Sequence, residues 1–189
     1  MRAYSPVPAI AAAAAVALAA AAPASAAIIA DHWFSVTVDG VDGVLRAGSP
    51  WVPGSTPTSA LAPVDGEFEP TGQQWNNGSF WWDEDPSVNQ TPVTYTIVLD
   101  GFYTLRRFLM QADDNDSYHV EWWDGATWLT AWDVPAVNTF GLETRDSGVL
   151  AAITTDRLRL SGSGGDGYYA ISEFQAFGVP EPATWALMI

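Results

Sequence analysis

Beyond residue 26 the chain shows almost no helical periodicity. It breaks into short runs in which apolar and polar residues alternate, separated by Gly, Asp, Asn and Pro. Alternation with period two sends successive side chains to opposite faces of a strand, so the pattern predicts antiparallel strands with one buried face. The runs predict strands over 32–38, 93–99, 105–112, 118–123, 127–133, 155–160 and 168–177. Their inward positions are Ile97, Leu99, Phe108, Met110, Val120, Trp122, Leu158, Leu160 and Ile171, giving an all-β antiparallel sandwich of roughly eight strands. Asp100-Gly101 and Asp124-Gly125 read as tight turns, because Gly accepts positive φ and Asp bonds its own backbone. The run from Gly162 to Gly167 reads as a flexible loop; it opens no helix and carries no Lys, which argues against a phosphate cradle. Residues 47–89 are rich in Pro, Gly, Ser and Asp. Phe68, Trp75, Phe80, Trp81 and Trp82 nevertheless give them enough apolar mass for an ordered segment laid over the sandwich.

The first 26 residues have a different pattern. Arg2 is the only charge ahead of an Ala/Val/Leu/Ile stretch, which ends in Pro23-Ala24-Ser25-Ala26. Small residues at Ala24 and Ala26 predict a secretory signal peptide, residues 1–26, cut by signal peptidase. Residues 27–178 then make one domain's worth of chain.

Charge and composition narrow the partners. Twenty-two acidic residues face seven basic ones, all Arg, for a net charge of −15. Such a surface repels phosphate backbones and anionic headgroups, which argues against nucleic acid and suits cations, neutral sugars or a basic protein. The absence of cysteine excludes thiol catalysis, thiolate-bound metals and disulfides. Ten tryptophans, all beyond the signal, leave some for a binding face as well as for the core.

The densest mixture of rings and acceptors is Trp75 with Phe80-Trp81-Trp82-Asp83-Glu84-Asp85. A sugar site needs flat rings for C–H faces and carboxylates for hydroxyls. The candidate ligand-binding residues are therefore Trp75, Trp81, Trp82, Asp83 and Asp85. Strand alternation is expected to leave Trp81 or Trp82 outward as the platform; the competing reading places the pair in the core. Trp122, Trp128 and Trp132 are expected to be mostly core. Asp113-Asp114-Asn115-Asp116 offers oxygen ligands for a hard cation, but it lacks EF-hand spacing, so a solvated acidic turn is the favoured reading. Of the two histidines, His32 and His119, the latter has acids nearby but no serine-nucleophile motif beside it, and no catalytic residue is assigned.

Several phrases in order resemble the discoidin, or coagulation factor 5/8 type C, domain. They are Val64-Asp65-Gly66, Trp75-Asn76-Asn77-Gly78-Ser79-Phe80-Trp81-Trp82, and Tyr95-Thr96-Ile97-Val98-Leu99-Asp100-Gly101-Phe102-Tyr103-Thr104. Val120-Glu121-Trp122-Trp123-Asp124-Gly125-Ala126-Thr127-Trp128, Arg157-Leu158-Arg159-Leu160 and Ile171-Ser172-Glu173-Phe174-Gln175-Ala176-Phe177-Gly178 complete the series. The terminal cysteines of the eukaryotic branch are absent, and the first third of the chain matches poorly. The resemblance implies a galactose-binding-like jelly roll, a fold of non-catalytic carbohydrate-binding modules. It also implies one structural Ca²⁺, held by Asp65 and Glu173 with backbone carbonyls. Arg157 or Arg159 neutralising Glu173 is the alternative, as is a cation at Asp113, Asp114 and Asp116.

Residues 179–189 carry Pro180-Glu181-Pro182, which resembles the sorting motif of bacterial PEP-CTERM proteins. That resemblance implies handling by an exosortase-type enzyme and residence in the envelope or extracellular matrix, including biofilm, of a Gram-negative bacterium. In that family a membrane-spanning helix and an arginine cluster come after the motif. Seven residues come after Pro182 here, with no basic cluster, so a truncated or degenerate tail is expected. The leading expectation is an exported, monomeric, non-catalytic sandwich that binds or organises extracellular polysaccharide. A structural matrix protein acting through protein contacts is second, and a hydrolase using acids of residues 47–89 is third.

Overall fold

The computed structural model describes residues 27–28, 32–39, 46–48, 56–57, 59–84 and 92–180. The signal peptide, Asp85, Glu181 and Pro182 lie outside the described residues. Within them, strands run over Ala27–Ile28 (β1), Trp33–Asp39 (β2), Arg46–Ala47 (β3), Thr56–Pro57 (β4), Phe80–Asp83 (β5) and Thr94–Asp113 (β6). They continue with Ser117–Trp123 (β7), Trp128–Val134 (β8), Leu142–Asp146 (β9), Ile153–Ser163 (β10) and Tyr168–Pro180 (β11). The one described helical turn is a 3-10 turn at Ala62–Val64. All pairings are antiparallel.

β6 organises the sandwich. Its first half pairs with β2 and β10, and its second half with β11 and β9. Asp100-Gly101, expected as a hairpin turn, instead lies within this single strand. The Asp100 amide donates to the His32 carbonyl at 2.8 Å, and Tyr103 Oη donates to Asp100 Oδ1 at 2.6 Å. Opposite it, β10 shifts register between Thr155, paired with Tyr103, and Arg157, paired with Val98, so the bend at Asp100-Gly101 bulges out of the ladder and pairing resumes on either side. Asp124-Gly125 does turn the chain: Gly125 has φ +103°, and Asp124 Oδ1 accepts from the amides of Ala126 and Thr127.

The core lies between the layers. Ile97, Leu99, Val120, Leu158 and Leu160 meet Phe80, Phe108, Met110, Ile171 and Phe174, all buried. A cavity of about 10 Å³ between Trp33, Val64, Ile97, Leu99, Leu158, Phe174 and Ala176 shows how closely the faces fit. Trp122, expected inward with these, is half-buried, as are Trp128 and Trp132. The reason is position: β7 and β8 end the strand order β4-β3-β5-β11-β6-β10-β7-β8, so Trp122 and Trp132 pack at the margin of the core, while Trp128 lies against Trp123 and under the Arg159 guanidinium.

Candidate functional site

At one end of the sandwich the segment ahead of β5, the β6–β7 turn, the β8–β9 loop and the β10–β11 turn meet. The amide of Gly72 donates to the Leu142 carbonyl and that of Leu142 to the Gln73 carbonyl, at 2.9 and 2.8 Å. The amides of Val137 and Asn138 donate to the carbonyl of Asp114. Glu84 donates its amide to the Gly167 carbonyl.

β5 alternates as expected, with a different outcome. Phe80 and Trp82 enter the main core beside Tyr169. Trp81 faces the other way, where register places Trp81 opposite Ala170 and Asp83 opposite Tyr168. That outer face is covered: Trp75 lies edge-on to Trp81, Leu142 packs beside it, and Trp81 Nε1 donates to the Gly48 carbonyl at 2.7 Å. Trp75, Trp81 and Trp82 are therefore only 7%, 2% and 3% exposed. The expectation of an outward Trp81 or Trp82 platform is corrected, because the segment ahead of β5 and residues near Leu142 close over the second face.

Tyr168, which no pattern in the sequence singles out, is the accessible ring of this cluster. It is half-buried and stacks on Trp75 with centroids 6.1 Å apart at 28°. Asp83 is half-buried on the neighbouring strand. The signal that points to Tyr168 is register: it sits directly across from Asp83 of the ring-and-acceptor run. Phe140, two residues before Leu142, is 61% exposed at the rim, and Phe68 is exposed as well.

The β6–β7 turn departs most from expectation. Asp113, Asp114 and Asp116 are buried rather than solvated. Burial raises Asp113 to about 7 and Asp116 to about 8, with the charges of Asp113 and Asp166 adding to the shift for Asp116. The cover is Gly165 in the β10–β11 turn, at φ +59°: an added Cβ would collide with Asp116 Oδ1. The glycine run is thus no slack loop but a tight cover, and β10 itself runs through Gly162 to Ser163.

Glu173 is fully buried on β11. Its Oε2 accepts from the Gly66 amide at 3.1 Å, and its Oε1 has no partner among the described residues. Burial pushes it up to about 7, and the carboxylates of Asp65 and Glu67 add to the rise. Neither arginine neutralises it: Arg157 pairs with Asp156 and Arg159 with Glu121. Asp65 is exposed and accepts from the Glu67 amide at 2.9 Å. Among the described residues no three His, Asp or Glu side chains converge as metal ligands. What a Ca²⁺ would find here is the unpartnered Glu173 oxygen and the negative charge of Asp65 near it.

His119 has an arrangement that sequence spacing does not display. Nδ1 lies 2.8 Å from Asp133 Oδ1 and Nε2 lies 3.0 Å from Ser163 Oγ. The order matches a serine-hydrolase relay, but the Asp133 side chain is 72% exposed on the open face of β7, β8 and β10. Register gives the Asp133 contact directly, since His119 lies across from it, and the Ser163 contact diagonally, since His119 lies across from Ser161, two residues earlier on the same face of β10.

No protein-family model matches the sequence, and no curated protein sequence matches it. The fold does have solved counterparts. The chain superposes on the family 32 carbohydrate-binding module of C. perfringens NanJ, solved with galactose, at a TM-score of 0.51 and 11% identity. That match covers 81% of this chain and 98% of the module. A second Clostridium perfringens module, solved with GalNAc-β-1,3-galactose, gives 0.47 and 14% over 75% and 94% of the two chains. Chitosan-binding module 1 from a Paenibacillus sp. IK-5 chitosanase/glucanase gives 0.46 and 18% over 76% and 94%. The fold assignment rests on the first of these: the chain is an antiparallel β-sandwich of the galactose-binding-like type.

Proposed function

We propose that the chain is an exported, envelope- or matrix-associated β-sandwich that binds extracellular carbohydrate without catalysing its turnover. The observation that carries the reading is the outer aromatic cluster. A core needs no second group of rings on the far face of β5 and β11, yet Trp75, Trp81 and Tyr168 gather there beside Asp83. Tyr168, backed by Trp75, is the stacking ring, Asp83 accepts from hydroxyls, and Trp81 is the buried support. Asp85, outside the described residues, comes two positions later and stays a candidate acceptor. A glycan panel tests the reading: Tyr168→Ala should lose binding at least about tenfold while the melting temperature stays near wild type. Unchanged binding in both Tyr168→Ala and Asp83→Ala would reject this site.

The ends of the chain bear on location. Arg2, the apolar stretch and Ala24-Ser25-Ala26 support export, with residues 27–178 as the mature domain. Among the described residues no helix is long and apolar enough to cross a membrane. Pro180-Glu181-Pro182 begins at the end of the last strand and supports handling by an exosortase-type enzyme. N-terminal sequencing of secreted protein should begin at Ala27, and replacing Pro180-Glu181-Pro182 should change its surface retention. Asp65 and Glu173 are the proposed ligands of one structural Ca²⁺; chelator should lower the melting temperature, and Glu173→Gln should remove most of that response.

The exposed Phe68 and Phe140 favour a second reading, a matrix protein working through protein contacts. Concentration-dependent self-association without glycan binding would select it.

A further inference from the structure

Four side-chain oxygens are buried in the β6–β7 turn without a hydrogen-bond partner among the described residues: Asp113 Oδ2, Asn115 Oδ1 and both oxygens of Asp116. Asp116 is 0% exposed and Asp113 1%. Buried acceptors are normally paired, and an unpaired carboxylate is among the costliest groups to enclose. The nearby base does not match them. Arg145 Nη2 donates to the backbone carbonyls of Asp113 and Asp116, which leaves Nε and Nη1 without partners among the described residues. The guanidinium therefore grips the backbone of the turn and forms no ion pair with its carboxylates within the described residues.

A second observation bears on the same place. Gly165 seats its backbone against Asp116 so closely that a Cβ would overlap Asp116 Oδ1 and lie 3.1 Å from the Asn115 carbonyl oxygen. Two turns far apart in sequence, each joining strands that are not paired with each other, thus bring carboxylate, amide and carbonyl oxygens to one place. Hard oxygens in a net-negative enclosure are the ligand set of Ca²⁺, which tolerates irregular geometry and completes its shell with water.

We propose that the Asp113–Asn115–Asp116 turn, closed by Gly165, is a hard-cation site that takes Ca²⁺ and locks the β6–β7 turn to the β10–β11 turn. It is separate from the Asp65–Glu173 position. The cation converts four unmatched acceptors into ligands, while Arg145 holds the two backbone carbonyls that the cation does not use.

Calcium titration of the full chain after verified removal of metal, by calorimetry and thermal melting, decides the matter. Wild type should bind about two cations and Asp116→Asn and Glu173→Gln about one each. In chelator, Asp116→Asn should melt several degrees above wild type, because it replaces a buried carboxyl, costly to enclose in either form, with a neutral amide; in excess Ca²⁺ the order should reverse. Should Asp116→Asn fail to fold, Asp113→Asn is expected to lose the same cation. Full stoichiometry in Asp116→Asn, or a single cation lost only in Glu173→Gln, overturns this site and spares the other. A single cation lost only in Asp116→Asn supports this site and removes the Asp65–Glu173 one. Absence of calcium binding by the wild type overturns both, while the carbohydrate reading stands on its own test.

Discussion

Tyr118 holds both backbone groups of Ala170. Its hydroxyl accepts from the Ala170 amide at 3.1 Å and donates to the Ala170 carbonyl at 3.0 Å, in a fully buried setting. A side chain of β7 thus takes the place of a ladder partner for β11, next to the register shift between Ile171 and Glu173. Burial raises the Tyr118 hydroxyl well above its ordinary value, so it stays a neutral donor.

Tyr118→Phe keeps the ring and strands both groups of Ala170. Each buried group left unpaired costs about 1–3 kcal/mol. Urea unfolding should show that loss with an unchanged slope. A change below about 1 kcal/mol would mean that the Ala170 groups find other partners.

Trp81→Ala should cost about 3–5 kcal/mol, the usual result of emptying a buried aromatic position. The ring is enclosed by Trp75, Leu142 and Ala170, so loss of sugar binding in this variant should accompany loss of fold. A stable Trp81→Ala protein that selectively loses binding would return the platform role to Trp81.

Asp113 and Asp116 are raised from 3.8 to about 7 and about 8. A carboxyl whose folded-state value is raised contributes stability fully present below its unfolded value, near pH 4, and lost as pH rises through the folded value. In chelator the melting temperature should therefore fall between about pH 4 and pH 8, with Glu173, raised to about 7, adding to the decline. The exposed Asp124 and Asp146, held low by hydrogen bonds, act the opposite way but only below about pH 4. Asp116→Asn should remove the largest single share of the decline, ahead of Asp113 and Glu173. A melting temperature that climbs over the same range in chelator would contradict the burial of these two acids.

Ser163, His119 and Asp133 should not behave as a hydrolase. Asp133 is largely solvated and gives little electrostatic support to a charged imidazole. Fluorophosphonate should leave Ser163 unlabelled, and hydrolysis of activated esters should be the same in wild type and Ser163→Ala. Stoichiometric labelling at Ser163 would overturn the non-catalytic reading.

The strands are legible where alternation is long and uninterrupted. β2, β7, β8 and the core of β10 and β11 fall within a few residues of their expected bounds, and Ile97, Leu158 and Leu160 face inward as the pattern requires. β9 escapes the pattern because Leu-Glu-Thr-Arg-Asp offers one apolar residue in five; its partner β6 defines it, not its own alternation. The acidic turn differs from expectation for a related reason. Its local chemistry is that of a solvated loop, and what encloses it comes from elsewhere in the chain: Gly165, Arg145 and the Val137 and Asn138 amides. Periodicity likewise predicts that Trp81 and Trp82 diverge, but not what lies over the far side.

β11 lies between β5 and β6, and β1 pairs with it at Gly178 and Phe177. Its last residue, Pro180, is exposed and still in register with Tyr103. Tension applied to the chain beyond Pro180 would therefore run along the axis of an interior strand. The ladders to β5 and β6 would be loaded in shear, many bonds at once, rather than peeled one pair at a time. A module hung from its C-terminal end would resist pulling far better than one held by its edge strand β8.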